Sequence, residues 1–227
     1  MSAPGDTAVP VRVWDWPVRA FHWALLALVV CSVVTTKLGG VWMDWHMRSG
    51  YAILGLLAFR ILWGFAGPRW SRWGSFVRGP AAVLGYARTL FSRSHEPAVG
   101  HNPLGGWMVV ALVAALGLQA GTGLFANDDI VTEGPLAKLV SKATSDRLTS
   151  IHNANEWVIY ALVALHVAGV AFHRLRFGER LVAAMVSGVK RLPPRYAGSG
   201  VGKTPHARAL AIAALCAAAV WLLVTKA

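Results

Sequence analysis

Residues 151–172 read IHNANEWVIYALVALHVAGVAF, a run of 22 residues in which His152 and His166 stand fourteen positions apart. Fourteen steps of about 100° bring an α-helix back to within about 40° of its starting direction, so both imidazoles lie on one stripe, about 21 Å apart. The length and apolar character of the run predict a membrane-spanning helix. Histidine is costly inside a membrane and typically functional, so the pair predicts two stacked sites near opposite membrane faces.

The composition is that of a membrane protein. Of the 227 residues, 56% are hydrophobic and 14% are charged, and the mean hydropathy is +0.50. A water-soluble domain has about 25% charged residues, so most of this chain cannot form a solvated surface. Two cysteines, Cys31 and Cys216, lie in separate apolar runs. They form neither a CxxCH haem-attachment motif nor a zinc-ligand spacing, and we expect them to be core or lipid-facing residues.

Five segments predict transmembrane helices, TM1 to TM5, because each has about 20 mostly apolar residues. Their expected bounds are about 19–38, 46–66, 104–126, 151–173 and 207–225. The predicted fold class is therefore all-α and integral to the membrane. Residues 127–150 predict an outside loop long enough to carry a short helix and to meet a partner. Residues 177–206 predict a flexible basic linker on the cytoplasmic side, because they are rich in Gly, Pro and Lys/Arg.

The net charge of +12 is explained by orientation. With the N-terminus in the cytoplasm, the inside segments hold 15 Lys/Arg and 4 Asp/Glu, the outside segments hold six of each, and Arg60 lies within a span. Cytoplasmic segments carry the excess of Lys and Arg in membrane proteins, so the C-terminus is expected in the periplasm. This accounts for the basic charge, and we expect no nucleic-acid binding. The tract GSGVGKT at 198–204 lacks the spacing of a phosphate-binding loop.

Depth along the predicted helices pairs four of the eight histidines. His22 and His166 lie at similar depths from the cytoplasmic face, whereas His46 and His152 open TM2 and TM4 on the outside. Each pair joins two helices, as axial ligation of a haem iron from both sides requires, and haem b needs no CxxCH motif. Zinc would need three or four converging ligands. Hydrogen bonding of each histidine to a neighbouring group is the alternative.

Four other histidines are expected to be interfacial, at or beyond the cytoplasmic ends of the spans. They are His95, His101, His173 and His206. Among them His173 is a rival ligand, because it lies seven residues after His166 on the same helix face. Its pairing with His152 would stretch the stripe to about 31 Å, which is the whole hydrocarbon thickness.

Two arginines are candidate cofactor contacts. Arg60 lies fourteen residues after His46 and therefore near the same face of TM2. A buried guanidinium needs an anionic or polar partner such as a haem propionate or a quinone carbonyl, and snorkelling to the surface is the alternative. Arg19, one turn before His22, could pair with a propionate in the same way. Glycines in TM2 and TM3 would allow close helix packing or leave room for a flat macrocycle. They are Gly50, Gly55, Gly105, Gly106, Gly117, Gly121 and Gly123.

Four segments resemble the bacterial cytochrome b561 family, in the group that includes the b-type subunits of nickel–iron hydrogenases. They are VWDWPVRAFHW (13–23), HMRSGYAILGLLAFRILWGFAGPRWSRW (46–73), HNPLGGWMVVALVAALGLQAGTGLFANDD (101–129) and IHNANEWVIYALVALHVAGVAFHR (151–174). The resemblance implies a four-helix transmembrane bundle over residues 1–176 that holds two b haems. By position it implies the same ligands, in the pairs His22/His166 and His46/His152. TM5 is an addition to the four-helix pattern, expected to contact a partner or a second copy in a homo-oligomer.

The resemblance also implies a function. Electrons would pass between the quinone pool, ubiquinone or menaquinone, and a protein partner at the bacterial cytoplasmic (inner) membrane. We expect that partner to be a periplasmic redox protein, such as a c-type cytochrome or a dehydrogenase subunit. Two alternatives stay open: a quinone-coupled enzyme such as a superoxide oxidase, and a membrane-anchor subunit whose haems are structural. No acid–base constellation predicts catalytic residues.

Overall fold

The structure is a computed structural model, and it describes residues 8–90, 92 and 96–226. The described chain is mostly helical. Its elements in chain order are β1 (Val9–Arg12), α1 (Trp16–Leu38), α2 (Met43–Ala66), α3 (Trp73–Phe76), α4 (Pro80–Thr89), α5 (Pro103–Gly123), α6 (Lys142–Phe177), α7 (Leu181–Ser187), β2 (Val189–Leu192) and α8 (His206–Lys226). Short 3-10 turns lie at Gly40–Trp42, Arg69–Ser71, Ala137–Leu139 and Pro194–Tyr196.

Within the described residues, five helical segments are long and apolar enough to cross a membrane. They are Trp16–Leu38, Gly40–Ala66, Pro103–Gly123, Lys142–Phe177 and His206–Lys226. Each overlaps one of the five spans that the sequence predicts, so the expectation of five membrane helices is confirmed.

Helix α6 begins nine residues before the predicted span, at Lys142. Ser141 caps it: the Ser141 hydroxyl accepts the Thr144 N–H at 3.2 Å, and the Ser141 carbonyl accepts the Ser145 N–H at 3.0 Å. The residues between Ser141 and the apolar run are too polar to raise a hydropathy average, but they continue the helix by about 14 Å. The outside loop is therefore shorter than predicted, and its last nine residues, 142–150, belong to α6.

By its internal contacts the described chain divides into two compact units. Unit 1 contains the described residues of Met1–Ala20, Trp63–Val110 and Ala164–His206. Unit 2 contains those of Phe21–Leu62, Ala111–Val163 and Ala207–Ala227.

Unit 1 contains a two-stranded antiparallel sheet that the all-α prediction did not include. Strand β1 pairs with β2 in a register that runs from Val9 opposite Leu192 to Arg12 opposite Val189. The Gly188 carbonyl accepts the N–H of Val13 at 2.8 Å, and the Val201 N–H donates to the Arg12 carbonyl at 2.6 Å.

The segment at 177–206 is therefore folded, where the sequence predicts a flexible linker. It contains α7 and β2, and Gly188 joins them in the left-handed conformation at φ 83°. A Cβ on Gly188 would lie 2.8 Å from the Trp14 carbonyl oxygen, so this turn requires glycine for two reasons. Gly and Pro, which suggest flexibility in a single sequence, serve here as the turn residues of a packed segment.

The carboxylate of Asp15 is the central polar group of unit 1. Asp15 and Trp63 are fully buried, and the Asp15 carboxylate accepts hydrogen bonds from Trp63 Nε1 at 2.8 Å and from the Ser71 hydroxyl at 2.9 Å. It also accepts the Val18 N–H, which makes Asp15 the N-cap of α1. Burial raises the pKa of Asp15, against the opposing effect of these hydrogen bonds. One side chain thus joins the start of α1, the end of α2 and the turn that follows α2.

The hydrophobic core of unit 2 draws on four of the long helices. Its buried residues come from α2, α5 and α6, and partly buried residues of α1 pack against them. They are Ile53, Leu57, Ala115, Leu116 and Ile159, with Leu25, Leu28, Val29, Val113 and Leu162 around them. The polar groups around His46 and His152, described below, lie on the same four helices as this core.

We predict that Asp15→Ala destabilises the protein by about 3 kcal/mol. The substitution removes an N-cap, worth about 1 kcal/mol, and leaves the buried indole N–H and hydroxyl without their acceptor, which costs a further 1–3 kcal/mol. Thermal unfolding of the detergent-purified protein measures the effect. Asp44→Ala is the matched control, because Asp44 is an exposed acid in the first turn of α2. Equal melting temperatures for the two variants would show that the buried acceptor contributes little.

Candidate functional site

His46 and His152 lie together in unit 2. His46 is in the first turns of α2 and His152 is in α6, and both side chains are half-buried. Their ring centroids are 6.2 Å apart and the ring planes are inclined at 81°. The structure therefore brings together the two histidines that depth along the helices pairs on the outer side.

Each ring is held by a hydrogen bond to a backbone carbonyl of a neighbouring helix. His46 Nδ1 lies 3.0 Å from the Ser32 carbonyl oxygen on α1, and His152 Nδ1 lies 2.9 Å from the Gln119 carbonyl oxygen on α5. A carbonyl oxygen only accepts, so Nδ1 carries the proton in both rings and Nε2 presents its lone pair. Metal-binding histidines typically show this arrangement, in which the second nitrogen donates to a carbonyl and fixes the tautomer.

Hydroxyl and amide groups complete the support of the two rings. The Ser32 hydroxyl lies 3.1 Å from His46 Nδ1, and the Thr122 hydroxyl lies 3.3 Å from His152 Nδ1. Asn155, one turn after His152, is buried and donates to the Ala115 carbonyl at 2.9 Å and to Gln119 Oε1 at 2.7 Å. These bonds join α6 to α5 beside the His152 ring, so more than one contact fixes the position of the ring.

Helix α5 can approach the His152 ring because residue 123 is glycine. A Cβ at Gly123 would lie 2.9 Å from His152 Cε1, closer than real Cβ contacts come, and a tight 3.3 Å from Nδ1. A Cβ at Gly117 or Gly121 would meet nothing within 4 Å. Among the glycines that the sequence singles out in this helix, Gly123 is therefore the one at which a Cβ would meet the His152 ring.

The other predicted ligands, His22 and His166, fall in different units. His22 lies half-buried on α1, with its ring edge-on to Trp23 at a centroid distance of 5.0 Å. His166 is half-buried on α6, fourteen residues after His152. Their pairing stays a prediction that rests on their depth along the two helices.

The two candidate arginines lie in different surroundings. Arg60 is only 2% exposed, so it does not snorkel to the surface. Arg19 donates through its guanidinium to the Val186 carbonyl at the end of α7, while its buried Nε has no hydrogen-bond partner among the described groups. A role for either guanidinium at a cofactor stays a prediction.

The remaining described histidines have protein surroundings of their own in unit 1. The ring of His101 lies between those of Trp14 and Phe76, at 4.6 and 4.7 Å. His206 accepts a hydrogen bond from Trp16 Nε1 at 2.7 Å. His173, the rival ligand, faces Glu179 through Nδ1 and Asn102 through Nε2, each at 3.4 Å. His95 lies outside the described residues.

Sequence reasoning missed the polar groups that support the site. Gln119 and Asn155 each interrupt an apolar run, and this interruption was the available signal. Glu156 was counted with the outside segments in the charge balance, yet it lies on α6 one turn after His152. It accepts from Lys37 Nζ at 3.0 Å and from the Tyr160 hydroxyl. The i, i+4 spacing from His152 to Glu156 was its signal.

A model of the prokaryotic cytochrome b561 family matches residues 13–188 of the chain. This range includes all four predicted histidine ligands and both candidate arginines. No curated protein and no solved structure matches the chain.

The donor set at His46 and His152 fits a group held by two imidazole nitrogens. Each ring keeps the lone pair of Nε2, because its Nδ1 donates to a backbone carbonyl, and the two ring centroids are 6.2 Å apart. In the described part of the chain no group of three or more His, Cys, Asp or Glu could hold a metal ion. Two imidazoles alone suit a metal whose other positions belong to a macrocycle, as in haem b.

We predict that Gly123→Ala lowers the amount of haem bound per chain, because the added Cβ displaces the His152 ring. The absorbance of the reduced purified protein, referred to protein concentration, measures this. Gly117→Ala is the matched control on the same helix and should leave haem content unchanged. Equal haem content in the two variants would contradict the role of Gly123 in admitting the ring.

Proposed function

Because the chain belongs to the prokaryotic cytochrome b561 family, we propose that it carries electrons across the bacterial cytoplasmic membrane through two b haems. The family is one of transmembrane b-type cytochromes, and five apolar helices make the chain an integral membrane protein. The observation that carries the proposal is the pair His46 and His152. Their ring centroids are 6.2 Å apart, and each Nδ1 is hydrogen-bonded to a backbone carbonyl.

The chain's own residues would prepare the first haem site before the cofactor arrives. The carbonyls of Ser32 and Gln119 fix the tautomer, so the lone pairs of both Nε2 atoms are available to iron. The Asn155 bonds to α5 hold the His152 helix in place. When bound, haem b supplies an iron that gains and loses one electron at a time, and its ligands and their surroundings tune the potential.

We assign the second haem to His22 and His166. Support comes from their matched depth along α1 and α6 and from the family match, which includes both positions. The two arginines are proposed to bind haem propionates. Arg60 is a nearly fully buried cation fourteen residues after His46 on α2, and the buried Nε of Arg19 has no hydrogen-bond partner among the described groups. Two haems shorten each electron hop through the apolar barrier.

The proposed direction of transfer is between the quinone pool, ubiquinone or menaquinone, and a periplasmic redox protein such as a c-type cytochrome or a dehydrogenase subunit. The charge distribution supports a cytoplasmic N-terminus and a periplasmic C-terminus.

The loop before α6 would then face that partner. The Asp128 carboxylate accepts the N–H groups of Ile130, Val131 and Thr132 at 2.8–3.0 Å, and these bonds, from Ile130 and Thr132 first, lower its pKa to about 2. The loop thus presents two aliphatic side chains in a fixed turn, with Ile130 86% and Val131 87% exposed.

We predict that the wild-type chain binds two haems and that each ligand variant retains one. His46→Ala and His152→Ala should lose the same haem, and His22→Ala and His166→Ala should lose the other, because each iron needs both of its imidazoles. Haem extraction and quantification per chain give the count, and redox titration identifies the component lost. His206→Ala should keep both haems, since the His206 ring accepts a hydrogen bond from Trp16 and is not a proposed ligand.

Reduction by a quinol tests the direction of electron transfer. In vesicles that contain the purified protein, ubiquinol or menaquinol should reduce the b-type bands within seconds, and an enclosed or external acceptor protein should reoxidise them. A wild-type chain without b-type absorption, or four ligand variants that all keep two haems, would refute the proposal. Haems that bind but never exchange electrons with quinol would favour the structural role of an anchor subunit.

A further inference from the structure

An ion pair lies one helical turn from His152 on the same helix. The Glu156 carboxylate accepts from Lys37 Nζ, the last cation of α1, at 3.0 Å. The Tyr160 hydroxyl, one further turn along α6, donates to the same Glu156 oxygen. The three side chains belong to unit 2, together with His46 and His152. Two fixed donors therefore hold a carboxylate in one place beside the site.

The carboxylate is close enough to act on the site through its charge. Side chains at i and i+4 of a helix have Cβ atoms about 5–6 Å apart, which places the Glu156 carboxylate within Coulombic range of the His152 ring. The Glu156 side chain is 26% exposed, whereas that of Lys37 is 64% exposed. We expect water to screen the ammonium more than the carboxylate, so the carboxylate should have the larger effect at His152.

We propose that Glu156 lowers, and Lys37 raises, the reduction potential of the metal centre at His46 and His152. The inference rests on the proposed function. Adding one electron makes the centre more negative by one unit of charge, so a nearby carboxylate opposes reduction and a nearby ammonium favours it. Neither Glu156 nor Lys37 is a ligand, and each acts on the metal centre only through its charge. Because its side chain is the less exposed of the two, Glu156 should have the larger effect.

Redox titration of two single variants tests the proposal in the intact, haem-loaded protein. Glu156→Gln should raise the midpoint potential of one component and Lys37→Gln should lower it by less. The expected change for Glu156→Gln is threefold to tenfold in the one-electron equilibrium constant, and tenfold is about 59 mV. The affected component should be the one that His46→Ala abolishes. The double variant should lie between the two single variants.

Two controls separate this effect from a structural one. Glu133→Gln removes an acid of the exposed loop pair Lys138–Glu133 and should leave both potentials unchanged. Tyr160→Phe keeps the charge of Glu156 and should shift the potential less than Glu156→Gln does.

Opposite signs for the two single variants would establish the electrostatic role. Shifts of the same sign, or a haem-loaded Glu156→Gln protein with an unchanged potential, would overturn it. If Glu156→Gln binds no haem, Lys37→Gln tests the proposal by itself, because Lys37 is exposed. A midpoint potential that is unchanged or raised in Lys37→Gln would refute the proposal. A wild-type chain that binds no haem would refute the proposed function itself, which is a distinct result.

Discussion

The two hydrogen bonds from imidazole Nδ1–H to backbone carbonyls are the constraint on which the site depends. A histidine side chain in an apolar helix carries two nitrogens that both need partners. The Ser32 and Gln119 carbonyls each accept a hydrogen bond from one ring nitrogen, so Nε2 of each ring keeps its lone pair, and the ring centroids lie 6.2 Å apart. These carbonyls lie on α1 and α5, whereas the rings belong to α2 and α6. Four helices must therefore keep their relative rotation for the site to exist.

The sequence predicts the spans and the outer histidine pair for simple physical reasons. Hydropathy follows from composition, and depth follows from the constant rise of a helix, so both can be obtained without knowing tertiary contacts. The carbonyls that bind the rings could not be found in this way, because every residue has a carbonyl and only the fold decides which one is near. Gly123 differs from Gly117 and Gly121 for the same reason: its role depends on the rotation of α5 against α6.

The polar parts of the chain were the harder part to predict. The first turns of α6 are helical because Ser141 caps them, although their polarity suggests a loop. The segment before α8 forms a strand because β1 is available to pair with it, which is a long-range fact that no local pattern shows. Asp15 gave no signal in the sequence beyond its place before an apolar helix, yet it is fully buried and binds Trp63 and Ser71.

The pairing of β1 with β2 has a consequence for the order of folding during synthesis. Residues Val9–Arg12 leave the ribosome before their partner strand, which begins only at Val189. At a synthesis rate of 5–20 residues per second, the first strand waits about 10–40 seconds for its partner. The intervening helices must enter the membrane during that interval, while the N-terminal strand remains unpaired. Closure of the sheet therefore marks a late step, at which the two segments that flank the family-matched region pair with each other.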